Sequence, residues 1–325
     1  MKKSIKKIIA VIMAIAIIAT CFVGCGNTAN DKYTIGICQL VQHQALDTAT
    51  KGFKDAVVEK LGADNVKFDE QNAANDSPTC ATICNQFVAS NVDLIMANAT
   101  PALQAAVAST TQIPIVATSV TDYATALDIS DFDGTTGMNV TGTADLAPLN
   151  KQAQMIVDLV PNAKLVGILY CSAEPNSKYQ AQVISEELAN LNVASKEYTS
   201  ADSNDLASVV QSMVNDKVDA IYIPTDNTIA SSAKTVNEIA EPANIPVIAG
   251  EEGICKDCGI ATLSISYYNI GYEAGLMAAE ILLDGKDPAT MPIKTDSNPV
   301  NKFVKQRAEA LEIVVPENYE EIIAE

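Results

Sequence analysis

The sequence predicts an α/β protein made of two doubly wound parallel-sheet lobes joined by a hinge. Three observations lead there. Short β-branched runs alternate with amphipathic helical segments, the alternation begins afresh midway along the chain, and landmark tripeptides of the first half recur in the same order in the second. Strands that alternate with helices build parallel sheets with helices packed on both faces.

The elements follow in order. Residues 33–39 form a β-branched run, after which Leu46, Phe53, Val57 and Leu61 fall on one helical face ended by Gly62. Strands are expected at 66–69, 93–97 and 114–118, with helices at 79–88 and after Thr100-Pro101, read as an N-cap followed by proline at the first helical position. The second round has strands at 164–170, 193–198, 219–223 and 246–249, and helices at 179–191, 206–214 and 229–239. Ile35-Gly36-Ile37 matches Val166-Gly167-Ile168, Val92-Asp93-Leu94 matches Val218-Asp219-Ala220, and Ile113-Pro114-Ile115 matches Ile245-Pro246-Val247. The offsets are 131, 126 and 132 residues, so the order is kept while loop lengths vary.

The amino terminus sets the compartment. Lys2, Lys3, Lys6 and Lys7 precede an apolar run over 8–20, which is shorter than a membrane span and has the order of an export signal. Phe22-Val23-Gly24-Cys25 resembles a bacterial lipobox, which implies cleavage before Cys25 and acylation of its sulfur. The expected organisation is a signal peptide over 1–24, a tether over 25–32, lobe one over 33–143 and lobe two over 144–266. Residues 267–325 supply hinge crossovers and a C-terminal segment shared by both lobes. The reading is extracytoplasmic and membrane-held through the lipid.

Removing the four signal lysines takes the net charge from −19 to −23. That balance excludes nucleic acid as a partner of the folded part. There is no G-x-S-x-G elbow and no G-x-G-x-x-G loop after the first strand, so the sequence does not read as an enzyme, and no cofactor is expected. Cys255-Lys256-Asp257-Cys258 offers two sulfur ligands with no histidine beside them, so no metal site is assigned. A Cys255–Cys258 loop disulfide and free thiols both remain open.

In open parallel sheets ligands gather beyond the carboxyl ends of strands, near helix N-termini. The candidate ligand-binding residues are therefore the polar ones that follow each strand: Gln39 and His43, Thr100, Thr118 and Ser119, Glu174 and Asn176, then Asp226 and Asn227. Ser177 is a further ligand candidate, and with Gln180 it also fits a capping box. Tyr267 and Tyr268 are read either as walls of the ligand site or as filling of the hinge core, with Tyr268 kept as a ligand candidate. A hydroxyl at Thr100 facing an acid at Asp226 suits a zwitterion, its carboxylate held by lobe one and its ammonium by lobe two.

The run 35–47 with Gly52-Phe53, Ala99-Thr100-Pro101-Ala102, Val120-Thr121-Asp122 and Asn139-Val140-Thr141-Gly142 resembles tryptophan-type (TrpX-like) ABC-transporter substrate-binding proteins. Glu174-Pro175-Asn176-Ser177, Ile223-Pro224-Thr225-Asp226-Asn227, Tyr267-Tyr268 with Gly271, and the segment 299–316 extend that resemblance over the mature chain. The resemblance implies a type I periplasmic-binding fold with three hinge crossovers. It also implies an amino-acid-like, often aromatic ligand and a partner ABC permease and ATPase. A receptor for a purine or nucleoside, or a ligand-sensing lipoprotein, is the alternative reading.

Overall fold

The computed structural model describes residues 33–296 and 298–323, and the signal, lipobox and tether readings lie outside them. The first round of elements is β1 (Tyr33–Gln39), α1 (Gln44–Leu61), β2 (Val66–Asn72), α2 (Ser77–Ala89), β3 (Leu94–Asn98), α3 (Thr100–Ser109), β4 (Ile115–Val120), α4 (Tyr123–Leu127) and β5 (Val140–Ala144). The second is α5 (Leu149–Leu159), β6 (Leu165–Cys171), α6 (Pro175–Asn190), β7 (Ala194–Ser200), α7 (Leu206–Asp216), β8 (Ala220–Ile223), α8 (Asn227–Ala230), α9 (Ala233–Ala240), β9 (Val247–Ala249), α10 (Glu252–Cys258) and β10 (Ala261–Ser264). The chain then runs through α11 (Tyr267–Asp284), β11 (Lys294–Thr295), β12 (Val300–Phe303), α12 (Lys305–Ala310) and β13 (Glu320–Glu321).

Two sheets result, ordered β11-β5-β4-β3-β1-β2 and β13-β12-β10-β9-β8-β6-β7. Stripped of their late strands, both follow one order, 2-1-3-4-5, which is the topology that the repeated tripeptides announce. Pairing is parallel except between β10 and β12. The central strands are buried on both faces, with alternate residues in different cores. Ile35 and Ile37 of β1 pack beneath α1 and α11, whereas Cys38 packs with Cys80, Ile83 and Phe87 of α2. Gly36 explains how α2 comes so close: a Cβ there would stand 2.6 Å from the Phe87 ring. Gly167 leaves the same room for Met213 in the second sheet.

Three segments pass between the sheets: β5 to α5, β10 to α11, and β11 to β12. They are tied to one another. The Tyr267 hydroxyl donates to Asp145 Oδ2 at 2.9 Å, and Ser266 N donates to Asp296 Oδ2 at 2.8 Å. Although α11 follows a strand of the second sheet, it lies along α1 beneath the first. Gly52, Gly271 and Gly275 bring the two backbones into contact, and a Cβ on Gly271 would meet Ala49 O at 2.0 Å.

Local readings change in three places. The N-cap of α3 is Ala99 at φ 88°, and Thr100 is already the first helical residue. The helix expected at 229–239 is two short ones, α8 and α9, broken around Ser231 and Ser232. Cys255 and Cys258 lie on α10 rather than in a loop, and both are buried free thiols. No described helix is long and apolar enough to cross a membrane.

Candidate ligand-binding cleft

The carboxyl ends of the two sheets meet, and the polar residues at the strand ends divide into those that the protein satisfies itself and those that it does not. Gln39 is satisfied. Its amide donates to Val41 O and Asp47 Oδ1, and its carbonyl accepts from Thr50, which also accepts from Asn98. Thr118 accepts from the Thr143 hydroxyl at 2.9 Å. Both are buried scaffold of the first sheet.

Ser119 differs. Residues between Ala117 and Val120 form a bulge in β4, with Ser119 at φ 55°. Bulges beside functional sites redirect a side chain. Its Oγ is buried and has no hydrogen-bond partner among the described residues. Next to it, α3 begins without a side-chain cap, since Ala99 has no polar atom to offer and Pro101 follows Thr100. Thr100 and Ser119 are 3% and 5% exposed, so these donors are turned away from bulk water. Uncapped N–H groups and a free hydroxyl form an anion-binding arrangement.

Asp145 stands where β5 hands the chain to lobe two, and its N–H donates to Val120 O, one residue beyond Ser119. Tyr267 occupies Oδ2, whereas Oδ1 is buried and has no hydrogen-bond partner among the described residues. Burial raises the carboxyl above its ordinary pKa, partly offset by the Tyr267 and Thr121 hydroxyls. Glu251 is likewise raised by burial, to about 7, while it caps α10 through Gly253 N and Ile254 N. Among the described residues, no lysine or arginine forms an ion pair with Asp145, Glu251 or Asp226. Buried acids without a counter-charge are costly, and a cationic group among them is favoured. Asp145 directly follows Ala144, the last residue of β5, a strand that is not among those expected from the sequence.

In lobe two most candidates hold one another. Asp226 accepts from Cys171 N at 2.7 Å and from Ile229 N at 2.9 Å, so each carboxylate oxygen is engaged with backbone. Burial, then neighbouring Glu174, pushes its pKa well up. Glu174 accepts from Asn227 N and Nδ2 and from Thr228 N and Oγ1, between 2.7 and 3.0 Å. The capping box at Ser177 and Gln180 is not formed. Glu174 is the N-cap position of α6, and both side chains instead donate to Thr225, Ser177 to its carbonyl at 3.0 Å and Gln180 to its Oγ1 at 2.6 Å. Asn176 Nδ2 joins them at Thr225 O, while Asn176 Oδ1 is buried and has no hydrogen-bond partner among the described residues.

The lobes also touch directly. His43 Nε2 lies 3.2 Å from Asn227 Oδ1, Asn75 Nδ2 donates to Thr228 Oγ1 at 2.9 Å, and the Thr121 and Thr225 hydroxyls are 3.3 Å apart. Burial, which dominates over the hydrogen bond to Asn227, lowers the His43 pKa. The imidazole is therefore neutral at pH 7, with Nε2 protonated as the donor.

Residues 34–323 match the family model described as ABC transporter substrate binding protein. The chain belongs to that family. A curated relative, the tyrosine-binding protein of Clostridioides difficile (strain R20291), is 36% identical over 305 residues, covering 90% of this chain and 88% of that one. A solved domain from Streptococcus pneumonia in complex with L-Trp superposes with a TM-score of 0.85 at 32% identity, over 90% of this chain and all of that one. The ligand-free, open structure of a substrate-binding protein with adhesive properties from Clostridium difficile covers the same shares at 35% identity, with a TM-score of 0.69. In this chain the two lobes are in direct contact through His43, Asn75 and Thr121.

This substrate-binding protein has the type I periplasmic-binding fold and is extracytoplasmic, as its family is. Tyr268 is not brought to the cleft. Its hydroxyl donates to Asp55 on α1 at 2.9 Å, and its ring stacks on Tyr272 with Lys51 over it, on the outer side of the α1–α11 pair. Tyr267, one residue earlier, faces inward.

Proposed function

We propose that this protein captures an aromatic amino acid, L-tyrosine or L-tryptophan, between its lobes as the receptor of an ABC importer, held to the membrane by a lipid on Cys25. The observation that carries the reading is a pair of buried, unpartnered polar atoms at neighbouring strand ends, Ser119 Oγ as donor and Asp145 Oδ1 as acceptor. A zwitterion satisfies both. Its carboxylate lies against Ser119, Thr100 and the N–H groups that open α3, and its ammonium lies against Asp145 Oδ1 and Asn176 Oδ1. The sequence-level polarity is kept, while the acid that meets the ammonium moves from Asp226 to Asp145. Relatives that carry tyrosine in their name and L-Trp in their complex support the side-chain class.

Mass spectrometry of small molecules released by denaturing the purified protein should recover one of these amino acids. A nucleoside or sugar instead would sink the reading. In calorimetry, Ser119→Ala should weaken binding by about 1–2 kcal/mol, roughly 5- to 30-fold, since the helix N–H groups remain. The decarboxylated amines tyramine and tryptamine should show no such difference between wild type and variant. Cys25→Ser should free the protein from detergent-extractable membranes or leave its signal uncut, and unchanged partition would count against the anchor.

A further inference from the structure

The stretch Thr225–Thr228 is held from within its own lobe on every side. Ser177, Gln180 and Asn176 converge on Thr225, Asp226 caps α8 and binds the end of β6, and Glu174 takes four hydrogen bonds from Asn227 and Thr228. What remains free on the strip is spent across the cleft. Thr225, Asn227 and Thr228 each meet lobe one, and the partners Thr121, His43 and Asn75 come from three separate loops, after β4, β1 and β2. Thr228 shows the coupling in one atom, because its Oγ1 donates to Glu174 Oε1 at 2.8 Å and accepts from Asn75 at 2.9 Å. A donor already oriented on one side presents a fixed acceptor to the other.

We infer that Thr225–Thr228 is a closure latch, a preformed strip that seals the closed lobes by binding lobe-one loops, and that Glu174 is the residue positioning it. This rests on the hinged capture proposed above and assigns where part of its affinity resides. The apparent affinity of a two-state receptor scales with the fraction that is closed, so bonds made only on closing strengthen capture of any ligand equally. One hydrogen bond of ordinary net strength changes that equilibrium by about 2- to 10-fold.

The test uses Asn75, which has no place in the ligand set and sits at φ 64°, a conformation that glycine tolerates. Asn75→Gly should weaken L-tyrosine and L-tryptophan by the same 2- to 10-fold factor. In stopped flow the loss should fall on the dissociation rate, with the association rate unchanged. Glu174→Gln should give a larger uniform loss, with thermal unfolding recorded alongside; if that variant does not fold, Asn75→Gly decides alone. Unchanged affinity in Asn75→Gly, or a loss confined to one amino acid, overturns the latch. If wild type binds neither amino acid, the ligand class has failed, and the molecule recovered by mass spectrometry takes its place in the same titration.

Discussion

Asp145→Asn is expected to weaken L-tyrosine or L-tryptophan binding by about 2–4 kcal/mol, roughly 30- to 1000-fold. The substitution keeps shape and an acceptor for the Tyr267 hydroxyl, so the crossover it belongs to stays intact, while the buried ammonium loses its opposite charge. Calorimetry against the deaminated acids separates the two roles: ligands without an ammonium should not distinguish wild type from variant. The pH dependence has a definite sign. Burial raises the Asp145 pKa in the absence of ligand, and a neighbouring ammonium lowers it, so the complex binds fewer protons. Affinity therefore rises with pH between the two values and falls on acidification through the raised one. Glu251 and Glu174 also face this carboxyl, so the criterion is the difference between wild type and Asp145→Asn across that window. Equal affinity in the two proteins at pH 7 would mean that the ammonium lies elsewhere.

A large stability effect is expected at Gly271. Alanine there gains about 1 kcal/mol of helix propensity but places a methyl 2.0 Å from Ala49 O, a backbone atom that moves only if the whole helix moves. Separating α1 from α11 also loosens the core beneath them, where Phe53, Met277 and Ile281 meet β1 and β3. The net cost should be at least about 3 kcal/mol, or roughly 5 °C in Tm for a chain of this size. Calorimetric melting of Gly271→Ala within 2 °C of wild type would show that the pair adjusts freely.

The two-lobe architecture was legible because parallel strands are buried on both faces and leave apolar runs, and because duplication repeats short landmarks such as Ile35-Gly36-Ile37. Strand-end logic also points to Ser119, Thr100 and Asn176, the residues on which the proposed site is built. What sequence could not give was the distribution of hydrogen bonds among neighbours. Asp226, Glu174 and Ser177 have the right residue types in the right places, yet their partners are each other and the backbone, as only distances reveal. The Ser177–Gln180 spacing fits a capping box, but the helix begins at Pro175 with Glu174 at its N-cap position, so Ser177 is already inside it, and Thr225 from a distant loop takes both side chains. Tyr267 and Tyr268 are adjacent on a helix, so they point about 100° apart, and identity alone does not say which one faces inward.

The closing passage of the chain through β11, β12 and β13 has a consequence for how the molecule assembles. β11 finishes the first sheet and β12 and β13 finish the second, while α11 covers a face of the first from a position after the tenth strand. The first sheet is complete only with Lys294–Thr295, and the second only with Val300–Phe303 and Glu320–Glu321. A ribosome-bound fragment ending near 144 holds five strands of the first sheet with Phe53, Ile35 and Val116 uncovered, since their cover is Ala274, Met277 and Ile281. Contacts this far apart in sequence form slowly because a long loop must close first. Both lobes are therefore completed late, when the closing segment joins its two sheets.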